Sequence, residues 1–384
     1  MRKIITPQLF LLLLLSVSIS CSSSDNPFSL SDVERSEFIS VLKVELVGAE
    51  NETTVDKAVP EIGTSDQLLV GKYRGVESGI VVKFESISDN ISGTIKEALL
   101  IFNQIGNITG DSTNSISVEA HEVTTSWTTE NVDPAAILLS SGTELLGSVT
   151  FAIDSTGLDT IRISEELVQR WLDQPGSNNG VLVLAPNAED IFVYSSDETS
   201  LGPILALTYI ENDSTKNVTL SDSDASSVFT FEAIPADRHS ISTGLESELF
   251  ISFSFPDIPD NATINFANIV MKVDTANSIF PSTETFFSLT RMFAILSDGQ
   301  FTGEVDSTVI GLTNYNNGPQ LTVEITALLQ LAINEKKEDF GFRIATLDPT
   351  RSIFRTLLYT SEADSTNKPR AEIFYTLPPV SQSN

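Results

Sequence analysis

A segment of this chain occurs twice, and this repetition limits the fold more than any other feature of the sequence. Residues 75–80 recur as residues 244–249, at an offset of 169 residues. The same offset relates three further pairs, Phe84–Phe253, Ile95–Ile264 and Ala98–Ala267. Later matches keep their order up to Tyr209 and Tyr375, with loop-sized drift in the offset. Such self-similarity indicates two copies of one folded unit.

Short segments within each copy alternate apolar and polar side chains. Residues 249–255 place Leu249, Ile251, Phe253 and Phe255 on one face and two serines on the other. A period of two is typical of half-buried strands. Because Ser, Asn, Asp, Gly and Pro separate these segments, we expect an all-β chain with two tandem antiparallel β-sandwiches.

One short helix is predicted in each copy. Ser164 can cap a helix over 165–172, where two glutamates suit the positive end of the helix dipole. Trp171 lies on the apolar face of this helix, so we expect it to pack in the core. In the second copy Thr326 is the predicted cap of a helix that presents Leu329 and Ile333.

The matches also divide the chain into regions. We place the first copy at 38–211 and the second, more degenerate copy at 226–377, followed by a tail at 378–384. Between the copies, residues 212–225 are polar enough to form a linker.

The N-terminus has the layout of a secretory signal peptide. Arg2 and Lys3 precede an apolar run at 9–15, and small residues lead to Cys21. The run is too short for a permanent membrane span. We therefore expect a signal peptide at 1–20 and, because Ser and Asn follow the cysteine, a flexible tether at 21–37.

Cys21 is the single cysteine of the chain. Its position resembles the lipobox of bacterial lipoproteins, although Ser18 stands where that pattern usually has Leu. The resemblance implies lipidation of Cys21 and a lipid-anchored protein at the outer membrane or cell surface, since Asp is absent directly after the cysteine. The alternative is an ordinary signal peptide with an incidental cysteine.

The charge balance is strongly acidic. Without Arg2 and Lys3, 20 basic residues remain against 52 acidic ones, a net charge of −32. Such a chain repels nucleic acid. Solubility in salty surroundings explains the acidity most simply, and divalent-cation binding is an alternative.

Residues along the first copy carry a family resemblance. The matching segments are 80–84, 98–102, 127–132, 168–171, 179–182, 192–196 and 203–209. Together they resemble the DNRLRE-type module family of secreted microbial proteins, whose members include carbohydrate-binding modules. The resemblance implies jelly-roll-like sandwiches and binding of polysaccharide, with Trp127 among the ligand-binding residues. The second copy lacks the tryptophans and keeps mainly the frame.

An unusual loop supplies the other candidate site residues. In residues 71–75, Lys72 and Arg74 flank Tyr73 between two glycines. A sugar could stack on Tyr73 while a uronic-acid carboxylate pairs with the cations, because Arg in particular suits bidentate capture. The alternative is a solvated hairpin turn.

Catalytic and metal-binding patterns are sparse. His121 and His239 have no partner at ligand spacing, so we expect surface or loop histidines. Residues 222–224 resemble the start of a calcium loop but lack its Gly and terminal Glu, which favours linker acidity. Structural calcium between loops is the one cofactor that we retain.

These observations lead to a non-catalytic cell-envelope lipoprotein that binds extracellular polysaccharide, with uronic-acid-rich chains as one ligand class. The rival hypothesis is a structural or adhesive surface spacer that contacts another envelope protein. A third reading is a glycosidase built on paired carboxylates, which abound in so acidic a chain.

Overall fold

A computed structural model describes residues 40–55, 65–85, 87, 91–107, 115–152, 157–221, 223–243, 247–255, 258–280, 285–295, 301–315, 318–336, 340–346 and 354–378. Cys21, the predicted signal peptide and the predicted tether lie outside these residues.

The strands fall into two halves. The strands up to residue 231 are β1 (Val41–Val47), β2 (Asn51–Val55), β3 (Gln67–Tyr73), β4 (Val76–Phe84), β5 (Thr94–Asn107), β6 (Ser115–Val123), β7 (Ser141–Ala152), β8 (Leu158–Arg162), β9 (Val181–Leu184), β10 (Ile191–Ser195), β11 (Ile204–Glu211), β12 (Ser214–Leu220) and β13 (Ser223–Phe231). The later strands are β14 (Arg238–Ser242), β15 (Glu248–Ser252), β16 (Thr263–Lys272), β17 (Thr285–Ile295), β18 (Phe301–Tyr315), β19 (Gln320–Glu324), β20 (Phe340–Thr346), β21 (Arg355–Tyr359) and β22 (Arg370–Thr376). The helices are α1 (Pro134–Ser140), α2 (Glu165–Asp173) and α3 (Thr326–Asn334).

The predicted all-β fold of antiparallel sandwiches is confirmed. The first half forms one long path of strands, β12-β11-β5-β10-β3-β4-β9-β6-β7, with β13 beside β4 and β8 beside β5. The second half contains the sheets β1-β22-β16-β19 and β18-β17-β20-β15-β2, together with the pair β14-β21. The first half carries α1 in addition to the predicted helix.

Each half has its own apolar core. The first core gathers buried side chains from β3 to β13 and α2, including Phe102, Trp171 and Tyr194. The second gathers those of the second half, including Leu329 and Phe342. Trp171 therefore packs in the core, as its position on the helix predicts.

The two halves attach their helices to their sheets in the same way. In the first half, the backbone N–H of Ile95 donates to Oε1 of Gln169 over 3.0 Å. In the second half, the N–H of Ile264 donates to Oε1 of Gln330 over 2.7 Å. The two isoleucines are the same pair that the sequence offset of 169 aligns, so the repeated sequence carries a repeated contact.

The helix caps agree with the sequence in one half and differ in the other. Ser164 caps α2 by accepting from the N–H of Leu167 at 3.3 Å, as predicted. The prediction for Thr326 is wrong, because Ile325 precedes the helix and Thr326 is its first residue. The Thr326 hydroxyl instead accepts from the N–H of Ala267 at 2.9 Å, which ties α3 to β16.

The region expected to be a linker forms strands. Residues 214–220 form β12, which pairs with β11 over its full length. Residues 223–231 form β13, which pairs with β4 from Ser223–Phe84 to Phe231–Val76. The polar side chains of β12 face solvent, as suits an edge strand. The polarity that suggested a linker thus belongs to the first sandwich.

The first strands of the chain belong to the second half. β1 pairs with β22 over seven residue pairs, and β2 pairs with β15 over five. Val44 and Leu46 of β1 pack against the second core. The predicted first copy, 38–211, therefore begins with two strands that complete the other sandwich.

Candidate ligand-binding face

The predicted site residues Lys72, Tyr73 and Arg74 lie at a hairpin between β3 and β4. Tyr73 pairs with Val76, which leaves Arg74 and Gly75 as a two-residue turn. Both turn residues have positive φ, 46° and 74°, as a type I′ hairpin requires. The alternative reading of this loop as a hairpin turn describes its backbone.

The cations of this hairpin face protein groups. Nη1 of Arg74 donates to the carbonyls of Thr275 and Ser278, at 3.0 and 2.5 Å. Nζ of Lys72 lies 3.3 Å from Oε1 of Glu232. The Arg74 guanidinium also lies 5.1 Å from the centre of the Tyr73 ring. The hairpin therefore connects the first half to the second.

Trp127 lies elsewhere and is buried. Its side chain is 6% exposed, within a cluster that includes Val81 and Leu182. Its indole N–H donates to the carbonyl of Asn179 over 2.8 Å. Tyr73 packs against a different cluster, so the four predicted ligand-binding residues do not form one surface.

The expectation of surface histidines is wrong in both cases. His121 lies in β6 and His239 in β14, with side chains 16% and 15% exposed. Within the described ranges, no group of three or more His, Cys, Asp or Glu side chains is arranged to hold a metal ion. The described part of the chain also has no helix long and apolar enough to cross a membrane.

An exposed aromatic pair lies on the outer face of the sheet β1-β22-β16-β19. Phe266 of β16 is 42% exposed and stands opposite Phe374 of β22, with ring centres 6.1 Å apart. The register shifts between Ile264 and Phe266. Because one extra residue reverses the face of all that follow, this bulge turns Phe266 outward while Ile264 and Ala267 stay in the core.

Charged side chains surround the two rings. Lys43 of β1 pairs with Phe374 in register, and its Nζ lies 5.6 Å from the ring centre. The same Nζ lies 3.2 Å from Oε2 of Glu45. Arg370 and Glu372 of β22 continue the row, with Nε and Oε1 3.8 Å apart. The face thus combines an aromatic platform with donors and acceptors of hydrogen bonds.

The equivalent face of the first half is polar. Tyr209 pairs with Ile95 beside a register shift, as Tyr375 pairs with Ile264. The next pair in the first half is Thr208–Glu97, in place of the two phenylalanines. The aromatic platform is therefore specific to the half whose sequence suggests degeneracy.

Sequence reasoning missed Phe266 and Phe374 because simple alternation places Ile264 and Phe266 on one face. One signal was present. The aligned pairs Ile95–Ile264 and Ala98–Ala267 are three residues apart, and two core residues at that spacing in a strand require a bulge between them.

Comparisons with known proteins give little. No family model matches the chain, and no curated protein matches it. Among solved structures, the infectious bursal disease virus Gx strain matches at 9% identity, covering 88% of this chain and 77% of the viral chain, with a TM-score of 0.15. The Gt strain of that virus matches at 10% identity over 90% and 78%, with a TM-score of 0.12. Likenesses this weak carry no argument about this chain.

Proposed function

We propose that this chain is a non-catalytic cell-envelope lipoprotein that binds extracellular polysaccharide on the outer face of the sheet β1-β22-β16-β19. The observation that supports this most is the exposed pair Phe266 and Phe374. Neighbouring exposed aromatics on a rigid sheet are costly to leave in water, and such patches mark binding surfaces.

The chemistry of the face suits a sugar chain. The apolar C–H face of a sugar ring can pack on the two phenyl rings, while hydroxyl groups need both donors and acceptors at the rim. Lys43 and Arg370 supply donors, and Glu45 and Glu372 supply acceptors. The two cations also give a uronic-acid carboxylate a partner in an otherwise acidic protein.

The proposed anchor places this face outside the cytoplasm. A lipid on Cys21, followed by the flexible segment 21–37, would tether the sandwiches to the outer membrane or cell surface. Incorporation of a labelled fatty acid tests this step. We expect labelling of the native chain and none of Cys21→Ala.

A glycan array tests the binding function. The mature chain should retain neutral or uronic-acid polysaccharides, and Phe266→Ala with Phe374→Ala should reduce retention at least tenfold. Leu201→Ala is the matched control, because Leu201 is also an exposed apolar residue, in the first half. Lys43→Gln should weaken retention of uronic-acid chains selectively.

Two results would overturn the proposal. One is an array without signal above background, with and without calcium. The other is signal that the double phenylalanine variant leaves unchanged. Release of reducing ends from a bound glycan would instead support a carbohydrate-cleaving enzyme.

A further inference from the structure

Each sandwich is completed by a pair of strands from one contiguous segment. Residues 41–55 supply β1 and β2 to the second sandwich, and residues 214–231 supply β12 and β13 to the first. In both cases, one strand joins the sheet edge beside the closing strand of the half, β22 or β11. The other joins the strand after the hairpin, β15 or β4. The two segments are structurally equivalent.

A hydrogen bond repeats this equivalence. The hydroxyl of Ser227 in β13 accepts from the N–H of Leu69 at 3.0 Å. The hydroxyl of Thr54 in β2 accepts from the N–H of Ser240 at 3.3 Å. Each segment thus holds the first strand of the sandwich that it completes, β3 or β14.

The order along the chain makes this arrangement unusual. Segment 41–55 comes directly before the first sandwich but is built into the second. Segment 214–231 follows the first sandwich and completes it in place. The first sandwich is therefore contiguous, from 65 to 231, whereas the second borrows strands from more than 300 residues away, as in the contact between Ala49 and Ser361.

The borrowed segment is also the less firmly held of the two. Its inward residues Val44 and Leu46 are half-buried, whereas the inward residues Leu220 and Ala225 of the other segment are buried. Glu52 and His239 leave two buried atoms, Oε2 and Nε2, 3.9 Å apart and without a hydrogen-bond partner within the described residues.

We propose that residues 41–55 are an exchangeable donor segment, and that the second sandwich of one molecule accepts this segment from a second copy of the chain. Residues 56–64 join the segment to β3, so it can leave the acceptor without unthreading either sandwich. A fully extended stretch of this length spans roughly 30 Å, enough to reach a neighbour. Closed and exchanged forms make the same contacts, so local concentration sets their balance, as in domain swapping.

Anchoring favours the exchanged form. Chains held to one membrane surface meet at a high effective concentration, and the donor segment follows directly after the proposed tether. Exchange from molecule to molecule would connect anchored copies. The aromatic pair would survive it, because Phe266 and Phe374 both belong to the acceptor.

A disulfide across the donor and its acceptor tests the proposal. Val47 pairs with Arg370, and both side chains lie on the outer face. The N–H of the next residue, Gly48, donates to the carbonyl of Pro369. Val47–Arg370 is therefore a non-hydrogen-bonded pair, in which Cβ atoms come closest. The variants are Val47→Cys and Arg370→Cys in the mature chain, both carrying Cys21→Ser.

The two single variants are mixed, incubated at high concentration and oxidised. We expect a disulfide-linked dimer on non-reducing gels, with a yield at least fivefold above that of the control mixture. The control replaces Val47→Cys by Leu201→Cys, because the two side chains are 59% and 55% exposed. The chain carrying both cysteines tests the closed form and should give crosslinked monomer when dilute.

Crosslinked monomer from the double variant, together with no more dimer from the mixed single variants than from the control, would overturn exchange. Loss of glycan binding would leave this result unaffected, since the crosslink does not depend on a ligand.

Discussion

Oγ1 of Thr54 lies 3.0 Å from Nδ1 of His239, so a buried histidine joins β2 to β14. Because Thr54 already accepts from the N–H of Ser240, its hydroxyl proton is available to Nδ1. Nδ1 then acts as acceptor, and the ring proton sits on Nε2, facing Glu52. The geometry describes a neutral histidine at the root of the donor segment.

This histidine should make stability depend on pH. Burial lowers the pKa of His239 to about 4, whereas the unfolded chain takes up this proton near the ordinary value of 6.5. Between pH 6.5 and 4 the unfolded state thus binds more protons, and acidification lowers the free energy of unfolding. We expect urea unfolding at pH 7.5 and 5.0 to differ by about 1–2 kcal/mol more in the native chain than in His239→Gln.

Neighbouring groups act in other directions, so the comparison between variants is essential. Burial raises the pKa of the Glu52 carboxyl, which Ser361, Glu362 and Lys368 also influence. A raised carboxyl pKa favours the folded state on acidification, opposite to His239. His121→Gln is the control and should keep the native pH dependence. Parallel stability curves for the native chain and His239→Gln would refute the neutral-histidine interpretation.

Gly71 should tolerate no side chain. Its φ of 138° is a conformation that side chains rarely adopt, and a Cβ there would collide with the carbonyl oxygen of Asp190. Gly71→Ala should lower the free energy of unfolding by about 2–4 kcal/mol. Gly106→Ala in β5 is the matched control, because nothing lies within 4 Å of its added Cβ. A change of about 0.5 kcal/mol or less in both variants would contradict the geometry.

Trp127 should matter for stability and not for glycan retention. Trp127→Ala removes a buried indole and should cost about 3–5 kcal/mol in chemical denaturation. Trp127→Phe keeps most of the packing but leaves the carbonyl of Asn179 without its indole donor, so a smaller loss is expected. Because the aromatic pair lies in the other half, folded Trp127→Phe should bind polysaccharide as the native chain does. Weakened binding would return Trp127 to the ligand site.

The glutamines of α2 and α3 should contribute equally to their halves. Gln169→Ala and Gln330→Ala each leave a strand N–H, of Ile95 or Ile264, without its acceptor. We expect each to lose about 1–3 kcal/mol in unfolding free energy. Gln330→Glu is the conservative control, since it keeps the acceptor oxygen and should lose less than Gln330→Ala. An unaffected chain in either half would mean that the repeated contact is not structural.

Local patterns predicted local structure well. Alternation of side chains identified the strands, and Ser164 marked the start of α2, because both signals depend on residues only a few positions apart. The assignment of Thr326 as a cap failed because a partner in β16, distant in sequence, takes its hydroxyl.

Features that depend on distant strands were not predictable. The outward side of Phe266 results from a bulge against β22, and nothing within 263–266 reveals it. The pairing of β1 with β22 leaves no local mark, since Val44 and Leu46 alternate as they would in any sheet. Lys72 and Arg74 stood out as a ligand loop because their carbonyl and carboxylate partners lie far along the chain.

The borrowed strands also impose a schedule on synthesis. The first sandwich can close as soon as residue 231 has emerged, but Ala49 must wait for Ser361, 312 residues later. At about 5–20 residues per second, the ribosome needs roughly 15–60 s to make that stretch. During this interval residues 41–55 stay unpaired beside a finished domain, so a nascent chain and a neighbour that has already lost its own segment could meet before the chain is complete.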